Sequence, residues 1–195
     1  RRVRDIDHDR LAPAIHVGIQ VASAVVRSLK LPAAQLTQPH LPEDGLTWRT
    51  HVAPGGAAPR LADLATALWD QGIPVVLLAH LPAPAFQGMA CVVEGRPVVL
   101  LGYKHDEPGR AAFVVAHEAG HIAAHDCAPG EPVVDEEDEI TDDTDIEKRA
   151  DEYATKVLIG HLHVPEVSIG PKDFKDLAQK AVGLERELVE ASVAE

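Results

Sequence analysis

Apolar residues recur on a helical period in four stretches of the chain, and a block of strand-like alternation lies between the second and the third. In the first stretch, residues 11–30, Ile15, Ile19, Ala22, Val26 and Leu29 share one face, and Pro13 suits a first turn. The second, 59–71, carries Leu61, Leu64, Ala65 and Leu68 as its stripe and stops at Gly72. The intervening residues 31–58 are rich in Pro, Gly and Thr and read as a loop. Val75 to Leu78 predicts a short buried strand, and 88–93 with 97–101 predict a hairpin across Glu94-Gly95-Arg96. Asp106-Glu107-Pro108 opens the third helix, which runs to about His125 and stops before Pro129-Gly130. Asp145 N-caps a fourth, 146–159, ended by Gly160. The tail from Pro171 is amphipathic and charged and reads as helical. The expected fold is therefore α+β: a small antiparallel sheet or hairpin packed on the third and fourth helices, preceded by an N-terminal helical region. The expected organisation is a helical region over 1–71, a core over 72–160 and a helical tail over 161–195.

Composition narrows the setting. The 195 residues are 46% hydrophobic and 25% charged, as in an ordinary globular chain. The most apolar stretch, 14–26, is broken by His16, Gln20 and Ser23, short of the ~18 apolar residues of a membrane span. The sequence opens on Arg1, not Met, leaving room for an upstream segment, and Asp5, Asp7 and Asp9 break any signal-peptide pattern. Two cysteines, Cys91 and Cys127, are too few for a disulfide framework, so a reducing cytoplasm is expected and no membrane partner. The net charge is −13, and residues 131–147 hold ten acids and no Lys or Arg. That balance argues against broad duplex-DNA binding but leaves a local basic patch open. Trp48 and Trp69 read as packing residues.

The chemistry lies in the third helix, in His117-Glu118-Ala119-Gly120-His121. Histidines four apart on a helix face the same way, ~6 Å apart, and can share one Zn²⁺ through neutral imidazole nitrogens. Glu118, one step round, reaches a water on the metal rather than the metal itself, as a general base must. A bound zinc lowers that water's pKa from ~15.7 toward ~7. Glu118 is the only charged residue between Ala111 and His125, so the polar groups form one stripe on an otherwise apolar helix. Two core histidines and a surface Glu would be the bland alternative, and burying such groups without partners is costly.

Catalytic zinc needs a third protein ligand and an open position. His125 lies a further turn along and drifts round the helix. The acids from Asp135 to Glu139 sit in a loop. Glu147 shares a helix face with Asp151, which could hold the free ring nitrogen of a ligating histidine. An acidic first turn favoured by the helix dipole explains Glu147 equally well. Spacing leaves these alternatives open.

HEAGHIAAH followed by EKRADEYA, after a hairpin and with Arg110 shortly upstream, resembles the ImmA/IrrE family of metallopeptidases over roughly residues 72–160. The resemblance implies zinc held by His117, His121 and Glu147, with Glu118 catalytic and Asp151 supporting a ligand. Asp151 stands where the family commonly has Asn, and the long acidic stretch is a further departure. The implied function is a cytoplasmic endopeptidase that cleaves a helix-turn-helix transcriptional repressor, derepressing genes of stress, DNA damage or phage defence. A nucleic acid as activator is conceivable for a damage-response member. A zinc-containing module that binds a repressor without cutting it, or the toxin of a toxin–antitoxin pair, are the competing readings.

Three further residues complete the expectations. Cys91, on the hairpin strand beside the motif helix, could occupy the open zinc position as an inhibitory fourth ligand, or be an ordinary buried apolar residue; Cys127 is a weaker candidate for that place. Tyr103 and His105, just before the motif helix, are candidate donors to an oxyanion.

Overall fold

The computed structural model describes residues 8–29, 41–102, 108–135 and 145–160. The chain divides into two compact units, Arg1–Leu162 and His163–Glu195, and the elements below belong to the first. The expected tail from Pro171 lies outside the described residues. In chain order the elements are α1 (His8–Ser28), α2 (Gly45–Val52), α3 (Leu61–Asp70), β1 (Val75–Leu78), β2 (Gly88–Val93), β3 (Arg96–Gly102), α4 (Pro108–Ala123), β4 (Val133–Asp135) and α5 (Asp145–Ile159). The fold is α+β, as the periodicities indicate.

The sheet is mixed, not purely antiparallel, with strand order β1-β3-β2-β4. The hairpin at its centre pairs Gly88 with Leu101 through Val93 with Arg96. Its turn is Glu94-Gly95, both at positive φ (51° and 73°), the two-residue geometry that matches the twist of paired strands. Arg96 thus belongs to the strand rather than the turn. Its side chain is 3% exposed and donates from Nη1 to the Gly72 carbonyl at 2.6 Å, tying the hairpin to the end of α3. β1 runs parallel to β3, Val75 opposite Val99, and as an edge strand it leaves Leu77 54% exposed. β4 pairs antiparallel with β2 inside the stretch read as a loop. Three residues are too few for an alternation to register against flanking acids.

Strand alternation divides the core into two clusters. Ala90, Val99 and Leu101 pack with α2 to α5, while Met89, Cys91, Val93, Val98 and Leu100 pack with α1. α1 starts earlier than Pro13 suggested, so that proline lies in the second turn and forgoes one backbone bond. By length and mean hydropathy, 1.2, its segment Arg10–Ser28 reaches the range of a membrane span, even though His16, Gln20 and Ser23 interrupt its apolar run. Leu11, Ala14 and Ala22 are buried in the α1 cluster, and a Cβ on Gly18 would meet Met89 Cε and Leu100 Cδ1 at 3.0–3.1 Å.

α2 was not expected in the Pro/Gly-rich segment. Asp44 caps it, Oδ2 accepting from the Thr47 amide at 3.2 Å, and Trp48 is its buried anchor. Trp48 stacks on Tyr153 of α5, centroids 5.9 Å apart, and the Tyr153 hydroxyl donates to the Pro42 carbonyl at 3.1 Å. Trp69, by contrast, is 40% exposed rather than packed in the core. α2 thereby braces the outer side of α5, the helix that carries Glu147.

Candidate metal centre

From Val114 to Ala123 α4 is buried on all sides, whereas Phe113 is exposed, and His117, Glu118 and His121 are 3%, 0% and 1% exposed. One helical turn brings the two imidazole centroids to 4.7 Å, edge to face, with their Nε2 atoms 3.0 Å apart. α5 crosses close by because both helices are small at the contact: a Cβ on Gly120 would lie 3.1 Å from Ala150 Cα and from Tyr153 Cβ. That approach delivers Glu147, whose Oε2 lies 3.2 Å from His117 Nε2 and 3.6 Å from His121 Nε2. One donor atom from each of His117, His121 and Glu147 falls within 4.8 Å of the others, so the group can hold a metal ion.

Both rings are oriented from behind. His117 Nδ1 lies 2.9 Å from Asp151 Oδ1, and His121 Nδ1 lies 3.2 Å from Asp126 Oδ2, leaving both Nε2 atoms turned inward. Burial pushes the His121 pKa down, but the Asp126 and Glu147 carboxylates outweigh it and leave it up at about 9.

Asp126 was not anticipated. It lies just beyond α4, where the chain reverses through His125 at φ 58°. The His125 amide donates to the Ile122 carbonyl at 3.2 Å and the Asp126 amide to the His121 carbonyl at 2.9 Å, the paired bonds of a Schellman termination. The turn folds the Asp126 side chain back to the His121 ring. Its sequence signal was weak because histidine, not glycine, occupies the left-handed position.

Glu118 points to the sheet. A Cβ built on Gly88 would overlap Glu118 Oε1 and lie 2.6 Å from Val114 Cγ1. The bare glycine at the start of β2 makes the space for this carboxylate, a second residue that pattern reading missed. Arg110, one turn before Val114, donates from Nε and Nη2 to Gln87 Oε1 at 3.1 and 2.9 Å, joining the start of α4 to the start of β2.

Cys91 is not brought to this group. Gly88 and Ala90 face α4, so strand alternation turns Cys91 to the α1 side, where it is 2% exposed among Met89, Val98 and Leu100. The expected inhibitory fourth ligand is corrected to a buried apolar thiol, and burial pushes its pKa up to about 12. Cys127 packs at the edge of the other cluster, and burial pushes it up to about 11. His125 is exposed and does not join the metal group. Tyr103, His105 and acids 136–144 lie outside the described residues.

No protein-family model matches the chain, and no curated protein is significantly similar to it.

Proposed function

We propose that this chain is a zinc-dependent peptidase, with Glu118 as its general base and His117, His121 and Glu147 as its metal ligands. One observation carries the reading: a fully buried carboxylate, Glu118, follows directly on one of two histidines that converge with a glutamate from another helix. Two imidazole nitrogens and one carboxylate oxygen form a donor set that zinc enzymes use, and they leave a place for water or substrate. Zn²⁺ bound there supplies a Lewis acid and an acidified water. A purely structural site has no use for a buried acid beside two of its ligands.

The chain's own residues divide the remaining work. Asp151 and Asp126 hold the Nδ1 sides of the two rings, so the Nε2 atoms stay directed inward. Glu118 accepts a proton on a carboxylate oxygen and returns it to the departing amine of the cut peptide. Gly88 gives that carboxylate its room against β2. The likeness of HEAGHIAAH and EKRADEYA to ImmA/IrrE peptidases supports a helix-turn-helix repressor as the substrate, cut in the cytoplasm to release its target genes. The net charge of −13 lends no support to an activating nucleic acid.

The test is cleavage of a repressor encoded beside this gene by the zinc-loaded chain and by Glu118→Gln. The variant retains zinc and cuts about 10²–10⁴-fold more slowly. A zinc-loaded wild type that leaves every neighbouring repressor intact removes the substrate assignment. Equal rates for both proteins remove the role of Glu118.

A further inference from the structure

The two imidazoles of the metal group are held unequally. Asp151, behind His117, has a side chain 59% exposed, whereas Asp126, behind His121, is 10% exposed. Asp126 also serves two partners with separate oxygens. Oδ2 faces His121 Nδ1 at 3.2 Å, and Oδ1 accepts from Arg149 Nη2 at 3.0 Å. Arg149 belongs to α5 and follows Glu147 by two residues. A single side chain therefore connects the helix that supplies the third ligand to the carboxylate that orients the second histidine.

We propose that Arg149 is a positioning residue for the metal: acting through Asp126, it locks the His121 ring in the orientation that faces Glu147. The inference rests on the reading that His117, His121 and Glu147 hold a metal. Asp126 sits on the turn after α4, and with one contact its carboxylate could rotate about its own side-chain bonds. The guanidinium removes that freedom by taking the second oxygen. A ring already held with Nε2 inward loses less conformational freedom when the metal binds, and that saving appears as affinity. Arg149 itself is 58% exposed, and exposed ion pairs contribute little to folding. Its effect on the metal is thus separable from any effect on the fold.

The experiment measures zinc affinity of the full chain by competition with a chromogenic chelator, for wild type, His121→Ala, Asp126→Asn, Arg149→Met, Arg149→Lys and the double variant Asp126→Asn/Arg149→Met. Lys156→Met, on the same helix as Arg149, is the control, since Lys156 pairs with Asp44 at 3.2 Å. Asp126→Asn weakens zinc binding about 10–100-fold, as loss of a residue orienting a ligand does. Arg149→Met weakens it on the order of 3–10-fold, Arg149→Lys recovers part of the loss, and Lys156→Met changes nothing. The visible spectrum of the Co²⁺-loaded protein shifts in Asp126→Asn and Arg149→Met and not in the control. In the double variant Arg149→Met adds no further loss, because it acts only through Asp126. Wild-type affinity with an unchanged cobalt spectrum in Arg149→Met overturns the inference, and so does an equal loss from Arg149→Met in both backgrounds. If the wild type takes up no zinc, or His121→Ala binds it as tightly, the metal reading itself fails and the inference falls with it.

Discussion

On β2, Gly88 and Ala90 face α4, while Met89, Cys91 and Val93 face α1. The two sides of this strand come from alternate residues of one short segment and do opposite things. The α1 side is filled with large apolar groups, and its one ionisable residue, Cys91, is kept neutral by burial. The α4 side opens with Gly88 and Ala90, and the missing side chain at Gly88 leaves room for the Glu118 carboxylate. The contrast teaches that volume, as much as polarity, decides where this fold can host a charge. A shift of one residue in register would exchange the two sides.

Three substitutions or reactions can break that contrast. The largest effect is expected from Gly88→Val, which fills the space Glu118 occupies. It costs toward the upper end of about 1–3 kcal/mol, the range for overpacked cores, and lowers the melting temperature by about 2–4 °C per kcal/mol. It also reduces peptide cleavage while zinc content holds. Unchanged melting and unchanged cleavage would show that the glycine is incidental.

A smaller effect follows from Cys91→Ser on the dry side. A hydroxyl buried there in place of the thiol costs toward the lower end of about 1–3 kcal/mol, seen as an earlier denaturant midpoint. Zinc content and zinc affinity stay at the wild-type value, and any change in either would place the thiol at the metal after all.

The smallest effect is on thiol reactivity. In the native protein at pH 8, iodoacetamide modifies the partly exposed Cys127 ahead of the buried Cys91. Cys91 has an ordinary pKa of 9.0, pushed up to about 12 by burial, so the fold favours its neutral form. That preference is fully present below pH ~9 and is lost as pH climbs toward 12. Peptide mapping after timed alkylation reads the order directly, and equal labelling of both cysteines at pH 8 would contradict the buried placement.

Long elements with strong periodicity were legible. α4 and α5 fall within a few residues of their expected limits, because an apolar run and an Asp145 start are local signals. The hairpin was legible too, apart from Arg96, which the two-residue turn Glu94-Gly95 places in the strand opposite Val93. α2 was not legible, since its anchor Trp48 lies in a segment whose prolines and glycines dominate the pattern. Nor was the parallel pairing of β1 with β3, because pairing partners 24 residues apart leave no local trace.

The sequence by itself determined that His117, Glu118 and His121 lie on one buried stripe, because the helical repeat is a property of the backbone and the flanks are apolar. It also determined that neighbours on β2 must face opposite ways, though not which side each would take. Only the tertiary structure brought Glu147 to two histidines 30 and 26 residues away, through the close contact of Gly120 with Ala150. Only it turned Cys91 to the dry side and folded Asp126 under His121, within reach of Arg149. Those outcomes depend on how helices meet a sheet and where a turn redirects the chain, and no spacing along the chain encodes a distance between elements.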